Sequence, residues 1–362
     1  MATKNIFDKP FDEGTLDKLT IFEDYFKEWL PVFLAKPDPI WKEIQIFDLF
    51  AGEGKDVNGV LGSPMRIISV LNANRDLILK SGVKIKVVVN EYEKQKFDLL
   101  VSNLKSIADT SLYELELYND DFYKIFESYY ESMKKTANFL FLDQNGIKQI
   151  TESVFNKLIQ LKQTDFLFFI SSSFIKRFNE LDEFRKYLKI TKQDLEGKSY
   201  YHIHKVVLEY YRSMIPKGKD YFLAPFSIKK PAGIYGLIFG TNHTLGIEKF
   251  LHVCWKHDRL TGEANFDIDN EGIDLTRPSL FEEFNKPTKR HLFEQKLKSK
   301  ILEGDLKTGK EVYLWVLNEG FLLKDANPIF RELIQLRKIE IGFKLISAKI
   351  HKLLEPSLIK LL

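Results

Sequence analysis

The stretch Ile44-Gln-Ile-Phe-Asp-Leu-Phe-Ala-Gly-Glu-Gly54 decides how this chain is read. Its apolar run closes on Asp48 and reads as a buried strand. Ala51, Gly52 and Gly54 then allow a sharp turn and a close approach of backbone to a ligand, which a Cβ would obstruct. A strand that ends in such a turn seats a nucleotide-like cofactor at the carboxyl edge of a parallel sheet. Two other glycine motifs are excluded by spacing. A dinucleotide fingerprint requires Gly or Ala three residues after its second glycine, and position 57 is Val57. Its acidic partner would lie about 20 residues on, and Glu91 lies well beyond that. A phosphate loop requires Gly-Lys-Ser/Thr, whereas Gly54-Lys55 is followed by Asp56.

Outward from this turn, strands and helices alternate. Leu16, Leu19, Phe22, Tyr25, Phe26, Trp29 and Leu30 recur at helical spacing, predicting an amphipathic helix that ends or kinks near Pro31. Ser63-Pro64 reads as a helix start, with Ser as N-cap and Pro at the first helical position. Strands are expected at Val83–Asn90, Glu114–Tyr118, Ala137–Leu142 and Phe166–Ile170, with helices at Lys94–Leu104 and Thr151–Leu161. A helix at Tyr201–Met214 and strands at Phe222–Ile228 and Tyr235–Phe239 complete the pattern. The order predicts an α/β fold with a doubly wound, Rossmann-like sheet.

A chain of 362 residues calls for two domains. Gly, Asp, Asn and Pro interrupt periodicity from Leu260 to Pro287, which divides the chain into residues 1–275 and 286–362. Helical segments at His291–Glu303, Lys310–Glu319 and Asn327–Arg337, with an alternating Lys338–Phe343, predict a winged helix-turn-helix. The turn after Gly320, about seven residues, is longer than the usual three or four. Residues 286–362 hold 16 Lys/Arg against 9 Asp/Glu, and residues 1–285 hold 38 against 42. The basic end suits an anionic partner such as DNA or RNA. Arg331, Gln335 and Lys338 line one face of the third helix, with Ile329, Leu333 and Leu336 expected towards the core. Lys324 and Lys344 flank that face, and Arg and Gln can read base edges bidentately.

One cysteine, Cys254, excludes an internal disulfide and a cysteine-rich metal site. His202 and His204 lie two apart and His252 and His257 five apart, so no metal is expected. No run approaches a membrane span and the N-terminus lacks a signal peptide, so a cytoplasmic protein is expected.

The segment Asp48–Gly54 resembles the first motif of class I S-adenosylmethionine (SAM) methyltransferases, making Asp48, Phe50, Ala51, Gly52 and Gly54 candidate cofactor contacts. Methyl transfer from a sulfonium needs an oriented cofactor and a lone-pair nucleophile. Glu91, ending the second strand, is placed to accept both ribose hydroxyls. Asp120 or Asp121 is placed to accept from an adenine amino group with Phe122 stacking, and helix capping competes for one of them. Asp143, Gln144 and Asn145 end the fourth strand, where amino-methyltransferases carry an acidic or amide residue followed by Pro-Pro-aromatic. That tail is replaced here, so carbon and oxygen acceptors stay open beside nitrogen. Cys254 lies far from any strand end that could present a Pro-Cys nucleophile. Ser171-Ser-Ser173 with Lys176-Arg177 is a candidate phosphate or base contact, or an ordinary helix start.

Taken together, these segments resemble the three-Cys-motif partner protein (TcmP) family. The likeness rests on Tyr25-Phe-Lys-Glu-Trp-Leu-Pro31, Asp48–Gly54 with Gly62-Ser-Pro64, Leu142-Asp-Gln-Asn-Gly146, Phe168–Phe174 with Lys176-Arg-Phe178, and Phe239-Gly-Thr-Asn-His243 followed by Leu245-Gly246 and Trp255-Lys256. It implies a methyltransferase-like domain, a C-terminal winged helix and a radical-SAM-like partner bearing the three-Cys motif. Residues Lys55–Gly62 depart from the common pattern by lengthening the turn before the next helix. Two functions follow: a SAM-dependent methyltransferase acting on nucleic acid, or a catalytically silent scaffold that binds nucleic acid and its partner.

Overall fold

The computed structural model describes residues 9–144, 148–178, 187–269, 271, 287–342 and 357–362. They pack as two compact units, Met1–Lys249 and Phe250–Leu362. The stretch 276–285, where the sequence suggests a boundary, lies outside the described residues.

In the first unit, β1 (Glu43–Asp48), β2 (Lys84–Asn90), β3 (Glu114–Tyr118), β4 (Ala137–Leu142) and β5 (Thr164–Ile170) are parallel neighbours in the order β3-β2-β1-β4-β5. A hairpin of β6 (Phe222–Lys230) and β7 (Gly233–Thr241) extends the sheet, β7 lying antiparallel to both β5 and β6. The order reverses between β1 and β4, and the crevice beyond the carboxyl ends at such a switch point is where ligands bind in open α/β sheets. Asp48 ends β1 there, and Asp143 follows β4.

Both sheet faces are covered, so β1, β4 and β5 are almost wholly buried and rich in Ile, Leu and Phe. The two-residue period of a strand splits β4 cleanly. Phe139 and Phe141 face helix α1 (Glu13–Leu34), with Phe26 stacked on Phe139 at 5.6 Å and Phe22 at 4.2 Å from Phe141. Leu140 and Leu142 join the opposite core with Phe47, Phe126, Phe155, Phe166 and Phe168. Helix α1 continues through Pro31 to Leu34. Proline there forfeits one backbone bond, and the burial of Trp29, Leu30, Phe33 and Leu34 outweighs it. After the glycine turn, α2 (Ser63–Ala73) has Gly62 as its N-cap, so Ser63-Pro64 are its first two residues. Next come α3 (Arg75–Ser81), α4 (Lys94–Lys105) and α5 (Phe122–Met133), then α6 (Glu152–Gln160) and α7 (Ser172–Phe178). The short α8 (Lys192–Leu195), then α9 (Ile203–Ser213) and α10 (Thr244–His257), follow.

The second unit contains α11 (Lys289–Leu302), α12 (Gly309–Asn318) and α13 (Leu323–Gln335), followed by the antiparallel pair β8 (Ile339–Ile341) and β9 (Ile359–Leu361). Its core gathers Phe293, Leu297, Val312, Tyr313, Val316, Ile329, Phe330 and Leu333. Gly320, at φ 78°, ends α12 in the left-handed conformation that favours glycine. Helix α13 begins at Leu323, ahead of the expected Asn327, and holds Pro328 inside it. The side chain of Asp325 accepts from the Leu322 N–H at 3.0 Å and fixes that earlier start. The α12–α13 turn is thereby shorter than the sequence suggested. Leu336, expected in the core, closes α13 as its C-cap and is 59% exposed.

Candidate cofactor cleft and acceptor site

Gly52 and Gly54 adopt φ values of 62° and 88°, which β-carbon-bearing residues rarely take. The turn they form is clasped to β2. Glu91 Oε2 accepts from the Gly52 N–H at 2.8 Å, Glu91 Oε1 accepts from the Glu93 N–H at 2.9 Å, and the Ala51 N–H donates to the Asn90 carbonyl at 3.0 Å. Each Glu91 oxygen keeps a lone pair beyond these bonds. The side chain of Asn90 in turn holds the next loop, donating to the Asp120 carbonyl at 3.0 Å and accepting from its N–H at 3.1 Å.

Asp48 lies fully buried at the switch point, and among the described residues neither of its carboxylate oxygens has a hydrogen-bond partner. Burial pushes its pKa up to about 7, with Asp143 and Glu91 adding repulsion and the nearby Ser63 side chain and Phe50 N–H opposing. An orphaned buried carboxylate at this position fits a ligand carrying an ammonium or another strong donor.

Of the two aspartates after β3, Asp121 is the helix cap: its side chain accepts from the Tyr123 N–H at 2.8 Å. Asp120 accepts from the Asp121 N–H at 2.7 Å and from Lys124 Nζ at 3.0 Å, and these bonds hold its pKa below the usual carboxylate range. Phe122 is 4% exposed, its ring stacked on Phe50 at 5.0 Å and on Phe126 at 5.7 Å. Tyr92 reaches solvent at this edge, 74% exposed, and the Asn119 amide bonds its carbonyl and that of Glu91.

At the end of β4, Asp143 is ion-paired to Lys18 of α1. The Gln144 oxygen accepts from the backbone N–H groups of Gln149 and Ile150 at 3.0 and 3.2 Å, which commits it to the loop. Its buried Nε2 has no partner among the described residues. Asn145 lies outside the described residues, as does Lys344. The hydroxyl of Ser171 accepts from the Phe174 N–H at 3.2 Å, as at a helix start. The hydroxyl of Ser173 bonds the Ile234 backbone.

The sequence reading did not single out Lys18, Lys230 or Asp56. Lys18 extends the buried stripe of Phe22, Tyr25 and Trp29 by one turn, so its helical position was the available signal. Lys230 falls on the face of β6 that carries Phe226 and Ile228, a period-2 signal of the same kind. Asp56 orders the long Lys55–Gly62 turn into a hairpin closed by a Lys55–Leu61 bridge. Its carboxylate accepts from the N–H groups of Asn58, Val60 and Phe11 at 2.8–2.9 Å. Burial raises its pKa, but these three bonds outweigh burial and leave it below the usual value. Three anchors therefore carry the chain segment from Phe11 to Lys18 across the carboxyl edge: Phe11 on Asp56, Lys18 on Asp143, and Thr15 accepting from Lys230 Nζ at 2.7 Å.

In the second unit, Lys324, Arg331, Gln335 and Lys338 are all exposed. Among the described residues no group of His, Cys, Asp and Glu could hold a metal ion, and no helix is long and apolar enough to cross a membrane. Cys254 is buried, and burial pushes its thiol pKa well up.

No protein-family model matches the chain, and no curated protein matches it. Among solved structures, it is similar to Trm1 from Pyrococcus horikoshii, solved with S-adenosyl-L-methionine, at 11% identity and TM-score 0.40 over 64% of this chain. The match spans 58% of the Trm1 chain. The O-methyltransferase TomG from Streptomyces achromogenes gives 11% identity and TM-score 0.33 over 65% of this chain and 91% of that one. The N-terminal domain of human METTL16 gives 9% and 0.35 over 65% and 72%. The mostly parallel seven-stranded sheet with helices on both faces, reversing its order between β1 and β4, is a doubly wound, Rossmann-like α/β fold.

Proposed function

We propose that the first unit binds SAM over the carboxyl ends of β1, β2 and β4 and transfers its methyl group to nucleic acid, which the second unit holds as a winged helix-turn-helix. The observation that carries the cofactor reading is the pairing of two carboxylates at the switch point. Glu91 is held at the glycine turn by the Gly52 amide, and Asp48 is fully buried with neither oxygen hydrogen-bonded among the described residues. The bound cofactor would supply an electrophilic methyl group. Glu91 would accept from the ribose hydroxyls, Asp48 would face the ammonium of the amino-acid end, and the glycine turn would let the backbone approach both. The exposed Tyr92 offers an aromatic face to the adenine. The residue matches to the three-Cys-motif partner family support a radical-SAM-like protein as the partner, and coexpression with such a protein should yield a stable complex. Titration calorimetry with SAM and its demethylated product tests the cofactor reading. Binding is expected, weakened by about 10- to 100-fold in Glu91→Ala, the value of a charge-assisted hydrogen bond. No heat with folded protein at high micromolar ligand would refute it.

A second reading, the catalytically silent scaffold, is favoured by the state of the acceptor end. Lys18 already neutralises Asp143, and the Gln144 oxygen is used by the loop. Radiolabelled methyl transfer to pools of DNA, RNA and protein separates the two. Incorporation lost in Asp143→Ala supports the enzyme, and cofactor binding without incorporation supports the scaffold.

A further inference from the structure

We propose that Lys18 and Lys230, set around the Phe169 ring beside Asp143, form a subsite for a phosphate group of the acceptor. This deepens the methyltransferase reading and rests on it. The two lysines come from different elements, α1 and the end of β6, and converge on one ring: Lys18 Nζ lies 4.7 Å and Lys230 Nζ 5.1 Å from the Phe169 centroid. Phe169 is stacked on Tyr235 at 5.1 Å, and Lys230 Nζ is 5.3 Å from that second ring. The site is built into the fold, since a Cβ at Gly14 of α1 would come within 2.6 Å of the Lys229 carbonyl and of the Lys230 side chain. Phe169 is the second-last residue of β5 and Lys230 the last of β6, so the cluster belongs to the ligand-binding edge, on the Asp143 side of the switch point.

Its two cations are unequally matched. The side chains of Lys18 and Lys230 are 6% and 11% exposed, and among the described residues Lys18 has a close carboxylate in Asp143 while the carboxylate facing Lys230 is the more distant Asp12. Lys230 donates to the Thr15 hydroxyl, and Asp12 is 4.0 Å away and 37% exposed. Burial lowers the Lys230 pKa to about 8, the like charge of Lys18 lowers it further, and Asp143 and Asp12 oppose. Lys230, desolvated and matched among the described residues only by a long pair with a part-exposed aspartate, keeps N–H donor capacity for an anion beside the Lys18–Asp143 pair. Burial raises the Tyr235 pKa, and the positive charge of Arg177 from α7 and the Ser171 side chain oppose it. Ser171 and Arg177 therefore lie near the same ring pair. An acceptor nucleotide fits both halves, its phosphate on the lysines and its base near the reacting end.

The test uses the full chain, with sulfate as the probe because it stays dianionic across the pH range. Calorimetry should show sulfate binding at pH 7 that weakens about tenfold or more in Lys230→Met and survives in Lys230→Arg. Affinity for the demethylated cofactor should stay within about twofold in both variants. In the unmodified chain, sulfate affinity should fall as pH rises through about 8, where Lys230 loses its proton. Sulfate should be displaced by a nucleoside monophosphate if the acceptor is small, and also by an oligonucleotide if it is nucleic acid. Equal sulfate affinity in Lys230→Met, or a flat pH profile, would overturn the subsite and leave the cofactor reading intact. Lys230-dependent sulfate binding in a chain that never binds the cofactor would instead overturn the methyltransferase reading and the assignment of the anion to its acceptor.

Discussion

Asp48 carries a cost that the fold tolerates. Its pKa is raised from 3.8 to about 7, so between those values the folded chain keeps a proton that the unfolded chain has released. Stability therefore falls as pH rises through that window, and the ionisation penalty is fully present above it. Asp165 acts in the same sense: buried beneath Tyr25 and Thr241, its pKa is pushed up to about 6. Replacing Asp48 by Asn should raise the urea midpoint at pH 8 and flatten its decline from pH 5 to pH 8, with Asp165 supplying what slope remains. The same variant should bind the cofactor more weakly. A variant that is neither more stable at pH 8 nor weaker in binding would remove Asp48 from the site. At the neighbouring edge, Tyr92→Ala should cost affinity for the cofactor without changing stability, because the ring is 74% exposed and packs on little.

At the scale of elements, the glycine turn and the Lys55–Gly62 hairpin work as one piece. The Gly62 N–H donates to the Gly54 carbonyl at 2.8 Å, which brings the two ends of the hairpin together. Gly54→Ala places a side chain at φ 88° with its Cβ 3.3 Å from Leu100 and Met65, and should destabilise by about 1–3 kcal/mol. Asp56→Ala leaves the N–H groups of Phe11, Asn58 and Val60 without their acceptor. The expected loss is about 1–3 kcal/mol at neutral pH, measurable by denaturant melts. Because the folded-state pKa of Asp56 is depressed, its contribution in the unmodified chain should disappear as pH falls through that depressed value. An equal melt for wild type and Asp56→Ala at neutral pH would mean that the hairpin stands without its aspartate.

For the molecule as a whole, charge is divided along the chain: residues 286–362 are basic and residues 1–285 mildly acidic. In the second unit the exposed Lys324, Arg331, Gln335 and Lys338 offer phosphate and base-edge contacts. If this face binds duplex DNA, affinity should decline with salt at a log–log slope of about −0.9 per neutralised phosphate. Arg331→Glu with Lys338→Glu in the full chain should weaken binding and reduce the slope by about 2. Unchanged binding by that double variant would assign nucleic acid to another surface.

The succession of strands and helices along the chain and the glycine turn were legible in the sequence because each is a local or periodic property. Ile44, Ile46 and Phe47 are apolar because both sheet faces are covered, and Gly52 and Gly54 are glycines because the turn needs positive φ. Glu91 was legible as the acidic residue after β2. Side chains that meet across the fold were not. The pairing of Lys18 with Asp143 joins residues 125 positions apart, and the Phe11 bond to Asp56 joins residues 45 apart. A lysine on an apolar helical stripe looks the same in sequence whether it reaches water or a buried carboxylate. The choice between Asp120 and Asp121, the burial of Phe122 and the exposure of Leu336 likewise depended on tertiary packing. The sequence determined the alternation of strands and helices and the place of the glycine turn after the first strand. Only the tertiary structure decided which charges meet there, because charge pairing in a desolvated site depends on distances that no local pattern encodes.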